Sequence, residues 1–182
     1  MKTSSKIISS YAALPDLIHQ YRQAKKKIVL TQGSWDMLHV GHARYLEKAK
    51  SFGDILIVGV DSDKKIRHRK GLGRPVVPED ERLEMLTHLG AVDHVILKEL
   101  DTPKWELIKL VQPDILVAIR ENYDEEKVAA LQEHCGKVII SPRMATTSTS
   151  AKLRSVQIGE AKKIETKLTK AIQEVLKEFS PQ

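Results

Sequence analysis

Ile28-Val29-Leu30-Thr31-Gln32-Gly33-Ser34-Trp35-Asp36-Met37-Leu38-His39-Val40-Gly41-His42 is the stretch on which the fold turns. Its first four residues form a short β-branched run of the kind found in buried strands. Gly33 and the segment behind it end that strand, and a helical pattern resumes from about Gly41, with Tyr45, Leu46 and Ala49 at helical spacing. Strand, turn and helix in this order make the first crossover of a parallel sheet. Such turns hold phosphate groups on exposed backbone N–H.

The same alternation continues on both sides. Upstream, Pro15 and Asp16 open a helix that carries Leu17, Ile18 and Tyr21 and ends in Lys25 to Lys27, where positive charge suits the helix dipole. Downstream, Asp54 to Val60 is a continuous apolar strand of the type covered by helices on both faces. After a basic loop come the helix Pro78 to Leu89, the strand His94 to Leu97, and a helix near Pro103 to Val111. The strand Asp114 to Ile119, the helix Glu125 to His134 and the strand Lys137 to Ile140 complete the series. This predicts an α/β fold with an open, doubly wound parallel sheet, whose ligands sit beyond the carboxyl ends of the strands. From Glu160 to Phe179, Ile164, Leu168, Ile172, Val175, Leu176 and Phe179 follow a helical stripe, so the chain is expected to close with a long amphipathic helix.

The length of 182 residues suits one domain, with its core over about residues 12–155 and the terminal helix over about 160–179. Hydrophobic residues at 41% and charged residues at 30% describe a globular chain rather than a disordered tail. No apolar run approaches the roughly 18 residues of a membrane span, and the N-terminus lacks a secretory apolar stretch, so a cytoplasmic location is expected. Cys135 is the sole cysteine, which excludes an internal disulfide and a cysteine metal cluster within the chain. A net charge of +6 fits a polyanionic partner: a nucleotide, a sugar phosphate or nucleic acid.

Three segments carry candidate chemistry. His39 and His42, three apart at a helix start, can point to one side, and Gly41 between them lets a phosphate approach the backbone. Imidazole donors fixed there would stabilise charge gathering on a phosphate during transfer. The pair could instead be ordinary loop histidines or metal ligands, although no third zinc ligand of typical spacing stands near. The second segment, Lys64 to Pro75, holds seven basic side chains counting His68, and its glycines suggest a mobile flap closing over a triphosphate. A solvated face or contact with a nucleic-acid backbone would explain the same charge. Arg82 on the following helix could face the same way. The third segment, Pro142 to Lys152, is dense in hydroxyls, which either cap a helix or hold a phosphate oxygen.

These segments, in this order, resemble the cytidylyltransferase-like nucleotidyltransferase family over roughly residues 12 to 155. The stretch Lys70-Gly71 through Arg74-Pro75, with Pro78, Arg82, Ala91-Val92-Asp93, Asp101-Thr102-Pro103 and Pro113 to Val117, is similar to the branch that makes ADP-heptose from heptose 1-phosphate. The resemblance implies a Rossmann-like fold and transfer of AMP from ATP to a sugar phosphate with release of pyrophosphate. CTP-dependent transfer to glycerol 3-phosphate or another polyol phosphate is the neighbouring activity, and a non-catalytic nucleotide- or RNA-binding module is the third reading. It further implies a divalent cation, normally Mg²⁺, carried with the nucleotide, and a homodimer. By the same resemblance, His39, His42, Lys70 and Arg74 would act at the reacting phosphates. Gln32, Gly33, Ser34, Trp35, Asp36, Gly41 and Arg82 would bind nucleotide, as would Arg120 and Asn122 near the base and Arg143, Thr147, Ser148 and Thr149 in the final signature. Asp36 would either order its loop or help hold magnesium. The chain departs from the branch at Ser34-Trp35, where Cys-Phe is usual, at Ser150 in place of threonine, and over Val117 to Tyr123, where Lys-Gly-Gly-Asp-Tyr is common.

Overall fold

The computed structural model describes residues 5–119, 125–142, 144, 163–164 and 167–169. In chain order it contains β1 (Ile7–Ile8), α1 (Leu14–Gln23), β2 (Ile28–Gly33), α2 (Val40–Lys50), β3 (Ile55–Asp61) and α3 (Asp63–Lys70). There follow α4 (Glu79–Thr87), β4 (His94–Lys98), α5 (Glu106–Val111), β5 (Ile115–Ile119), α6 (Glu125–Gln132) and β6 (Lys137–Ser141). The strands form one six-stranded sheet in the order β1-β4-β3-β2-β5-β6, every neighbouring pair parallel. From β2 the chain winds outward through β3 to β4, then returns to the other side of β2 for β5. The order therefore reverses beside β2, and the crevice at its carboxyl end is where this architecture receives ligands.

Two apolar layers cover the sheet. On one face Tyr45, Leu46 and Ala49 of α2 and Leu86 of α4 pack against Val29, Leu56, Val58 and Val117. On the other, Leu14 and Ile18 of α1, Leu107, Ile108 and Val111 of α5 and Leu131 of α6 pack against Ile28, Leu30, Ile57 and Leu116. Alternate residues of β2 thus feed opposite layers, which is why the strand reads as apolar throughout. The expected doubly wound α/β sheet is present.

Register is set at the amino ends. Asp54, Asp93 and Asp114 each stand one residue before a strand and reach an amide at or beside the start of a neighbour. The Lys27 N–H donates to Asp54 at 2.7 Å, that of Ile28 to Asp114 at 2.7 Å, and that of Leu56 to Asp93 at 2.6 Å. Strand β2 is held from both sides. A one-residue slip would carry every side chain of a strand to the opposite layer, so these bonds act against a costly error.

Two sequence expectations change. The segment after β3 is not a loop: Asp63–Lys70 is helical, with Ser62 accepting from the Lys65 N–H at 3.2 Å as its cap and Gly71 beyond its end at φ 91. Strand β1 is additional to the predicted set, and two residues are too few to show a period. The chain divides into two compact units, Met1–Ala145 and Thr146–Gln182, with the sheet in the first. In the second, residues 163–164 and 167–169 are helical, and Ile164 and Leu168 are exposed. The remainder of the expected terminal helix lies outside the described residues.

Candidate active site

The loop from Gly33 to His39 leaves β2 at the reversal point, and its shape is fixed from beneath. Trp35 and Met37 both hold left-handed backbone, φ 53 and 50, which side chains other than glycine adopt at a cost of roughly 1–2 kcal/mol. Burial of the Trp35 indole offsets that cost. Its Nε1–H donates to the Gly59 carbonyl at 3.0 Å, and its ring meets His42 edge-on with centroids 5.7 Å apart. Tyr45, one turn along α2, accepts from the Thr31 hydroxyl at 2.8 Å and donates to the Val117 carbonyl at 3.1 Å, tying the helix to β2 and β5 together.

His39 caps α2. Its Nδ1 accepts from the Gly41 N–H at 3.0 Å, while the His39 N–H donates to His42 Nδ1 at 3.3 Å, a reciprocal arrangement of the capping-box type. The ring centroids lie 4.1 Å apart. Because each Nδ1 acts as an acceptor, the proton of each neutral ring sits on Nε2, and Nε2 becomes the donor. Two N–H donors anchored to backbone at a helix N-terminus are suited to an anionic phosphate. The Gly41 amide is engaged by His39, so this N–H serves the cap.

Asp36 is 3% exposed. Its carboxylate accepts from the Val76 N–H at 3.1 Å and the Val77 N–H at 3.0 Å, and pairs with Arg74 Nε at 3.3 Å. A carboxylate so engaged orders the loop. It is a poor magnesium ligand, and among the described residues no group of three or more His, Cys, Asp or Glu side chains could hold a metal ion. Lys70, at the end of α3, donates to Ser34 Oγ at 3.1 Å. Burial, followed by repulsion from Arg69 and Arg74, lowers its pKa below the usual lysine range. The histidine loop and the end of the basic segment therefore come together through Ser34–Lys70 and Asp36–Arg74.

The rest of the basic segment does not form one flap. Lys65 donates to the Glu99 carbonyl at 3.1 Å, Arg67 pairs with Asp63 on the surface, and Arg69 reaches Asp61 at 3.0 Å. The tip beyond the helix stands clear, with Leu72 95% exposed, and Lys64 and His68 are exposed on the helix.

Arg82 and Trp35, expected to bind nucleotide, both have protein partners. Arg82 is 1% exposed and directs its donors inward: to the carbonyls of Val77 (2.9 Å), Ser34 (2.5 Å) and Asp61 (2.9 Å), and to Asp63 Oδ1 at 2.8 Å. It clasps the loops after β2, β3 and α3. Trp35 lies under the histidines and supports His42. Gln32 and Gly33 end β2 at the crevice. Arg120, Asn122, Arg143, Thr147, Ser148 and Thr149 lie outside the described residues. Met144 packs on the cluster that includes Trp35, Tyr45 and Leu38, on the α2 face of the sheet.

Sequence reasoning missed a second charged group at the same edge. Asp61, 2% exposed, pairs with Lys98 at 3.1 Å as well as Arg69. Although burial opposes its charge, Lys98 and Arg69 keep the Asp61 carboxyl below its ordinary pKa. Aspartate and lysine at the last positions of β3 and β4 were the available signal, since paired strands place Asp61 opposite Lys98.

The family model described as cytidylyltransferase-like matches residues 30–175. The bifunctional protein HldE of Geotalea uraniireducens is 35% identical over 158 residues, 85% of this chain and 32% of that protein. The HldE of Nitratiruptor is 54% identical over 92 residues, half of this chain and 20% of that protein. The chain thus spans between a fifth and a third of these relatives. Among solved structures, the lipopolysaccharide core biosynthesis protein of Thermoplasma volcanium aligns at 28% identity and a TM-score of 0.55, covering 68% of this chain and 99% of that one. A pantoate-beta-alanine ligase from Francisella tularensis, 16% identical with a TM-score of 0.56 over 81% of this chain and 69% of its own, shares the fold.

Proposed function

Since the chain belongs to the cytidylyltransferase-like family, we propose that it is a nucleotidyltransferase acting on ATP and a sugar phosphate of the heptose 1-phosphate kind. A phosphate oxygen of the acceptor attacks the α-phosphorus of ATP in line. The new P–O bond forms as the bond from the α-phosphorus to the bridging oxygen breaks, and pyrophosphate departs with that electron pair. The carrying observation is the His39–His42 pair, each ring held by backbone contact at Nδ1 with Nε2 as donor, at the reversal point of the sheet. Fixed donors at that position meet charge developing on the α-phosphate without reorganisation. Lys70 and Arg74 are tied to the same loop, and their ammonium and guanidinium would oppose the charge of the β- and γ-phosphates.

A divalent cation, Mg²⁺ in this reading, travels with the triphosphate, because Asp36 is already engaged. By the family resemblance, Arg120 and Asn122 would contact the base and Arg143, Thr147, Ser148 and Thr149 the phosphates. Residues 1–182 are one nucleotidyltransferase domain, equivalent to one activity of the bifunctional relatives, and work in the cytoplasm, where nucleoside triphosphates are abundant.

Pyrophosphate release, measured with ATP or CTP against heptose 1-phosphate and glycerol 3-phosphate, tests the reading. Release with ATP and heptose 1-phosphate is expected. Release with CTP and glycerol 3-phosphate alone would replace it with the polyol-phosphate activity, and no release with any pair would remove the enzyme reading.

A further inference from the structure

Helix α3 carries Lys70 to the histidine loop, yet little of the helix is gripped. Its eight residues span about 12 Å, and Ile66 is the side chain it buries. Most of its polar ties lie at its start. Ser62 caps it through the Lys65 N–H, and the Ser62 N–H donates to the Lys98 carbonyl at 3.0 Å. The Asp63 N–H donates to Glu79 at 2.6 Å, and Arg82 pairs with the Asp63 carboxylate. In the last turn Arg67 pairs within the helix, with Asp63. Just beyond its end, Cβ atoms at Gly71 and Gly73 would meet nothing within 4 Å. The last turn is therefore placed by the contacts of Arg69 and Lys70.

The Asp61 carboxylate holds Arg69 from a fixed base. Its Oδ1 accepts from Lys98 at 3.1 Å and its Oδ2 from Arg69 at 3.0 Å, while the Arg82 guanidinium holds its carbonyl at 2.9 Å. Lys98 lies in register opposite Asp61 on β4, so one carboxylate oxygen is pinned from the sheet and the other is presented to the helix. Neutralisation alone does not call for the second partner. Lys98 already balances the buried charge, and Arg69 makes the trio net positive. Arg69 is half-exposed and could be solvated by water, so its pairing with a buried carboxylate fixes the place of the guanidinium. Burial opposes the charge of Asp61, but Lys98, Arg69 and Lys65 outweigh it and hold the carboxyl below its ordinary pKa. The tie thus stays charged at neutral pH.

Resting on the nucleotidyltransferase reading, we propose that Asp61 is a positioning residue for the triphosphate: through Arg69 it fixes the last turn of α3 and delivers the Lys70 ammonium to the histidine loop. Lys70 follows Arg69 in the chain and donates to Ser34 Oγ at 3.1 Å. A released Arg69 would let the turn swing and the ammonium stray from the loop. Asp61 acts on Lys70 by charge as well. The charged groups around the ammonium are Arg69 of its own helix, Arg74 of the tip, Asp36 of the histidine loop and Asp61 of β3. Burial and the two cations favour the neutral amine, and the two carboxylates oppose them. One buried side chain governs both where Lys70 stands and the pH to which it keeps its proton.

A double-mutant cycle tests the proposal. Asp61→Asn keeps the shape and an acceptor oxygen but removes the charge. Arg69→Gln breaks the same tie at a half-exposed side chain, and carries the comparison should Asp61→Asn not fold. Each should weaken ATP binding in calorimetry, and raise the ATP KM in pyrophosphate release, about fivefold, a part of the roughly tenfold loss for the ammonium itself. The kcat and the acceptor KM should stay within about twofold, since the effect runs through a phosphate contact. In a Lys70→Met background neither change should weaken ATP further, because residues acting through one another are not additive. The alkaline rise in ATP KM should begin at lower pH in Asp61→Asn, which removes a supporting carboxylate, and at higher pH in Arg69→Gln, which removes a repelling cation. Losses that add in full to that of Lys70→Met overturn the positioning role and leave the activity standing. So does an ATP affinity and pH profile unchanged in folded but less stable variants, the result of a merely structural Asp61. The same pattern of ATP affinities without turnover on any substrate pair keeps the role and removes the activity.

Discussion

At the amino ends of the strands, charged side chains serve the backbone: Asp54, Asp93 and Asp114 each accept from an amide at or beside the start of a neighbouring strand. At the carboxyl ends cations gather around loops, with Lys70 and Arg74 tied to the histidine loop and Lys98 and Arg69 to Asp61. One edge sets register and the other is the edge we propose for ligand. The difference separates two kinds of importance that composition merges, since an aspartate that holds an amide and a lysine that awaits a phosphate are equally charged in the sequence. It also exposes the exception. Arg82 stands at the carboxyl edge and yet behaves like the amino-edge aspartates, with its donors taken up by protein groups.

That exception gives the largest expected effect. Arg82→Met leaves Asp63 and three carbonyls without their buried partner and should reduce unfolding free energy by about 3 kcal/mol or more. Urea titration measures it; a stable variant defective only in ATP binding would return Arg82 to the ligand-facing group. Next, His42→Ala should lower single-turnover rates by about 10²-fold, the range for loss of a positioned oxyanion donor. Circular dichroism should show the fold intact, and near-normal turnover would strip the carboxyl edge of its catalytic role.

Asp93→Ala, at the opposite edge, should cost about 2 kcal/mol of stability through loss of the Leu56 amide and Lys50 contacts, with kcat unchanged in the folded fraction. Lost activity at undiminished stability would erase the distinction between the edges. The smallest effect concerns Lys70. Its replacement by Met should raise the ATP KM about tenfold, the equivalent of one charge-assisted hydrogen bond. Because burial and its cationic neighbours lower the Lys70 pKa, its ammonium discharges at lower pH than an ordinary lysine. The ATP KM of the unaltered protein should therefore climb as the solution becomes alkaline, and Lys70→Arg should flatten that rise. An identical alkaline profile in Lys70→Arg would assign the titration elsewhere.

How much of this was legible follows from where each signal resides. The sheet could be read because burial on both faces writes continuous apolar runs, as at Ile55 to Val60, and the crossover to α2 places His39 at a helix start. Helix α3 was hidden because its side chains are nearly all charged and only Ile66 is buried. Its signs were the ends: Ser62 as cap, Asp63 in the first turn and Gly71 as stop. The clasp by Arg82 left no trace because its partners are mainly carbonyl oxygens, which every residue carries. The pairing of Asp36 with Arg74 and the amides of Val76 and Val77 is similarly a product of the fold, since about forty positions separate them.

The aspartates at the amino edge have one more consequence. Strand β2 is gripped at Lys27 and Ile28 from both flanks, and a strand advances about 3.3 Å per residue. Its far end, Gly33, is consequently delivered at a set height above that datum, as a gauge block transfers a measurement from one surface to another. An inserted residue within the strand would lift the imidazoles out of alignment without touching them. Precision at the chemistry is thus calibrated from the side of the molecule that never meets a substrate.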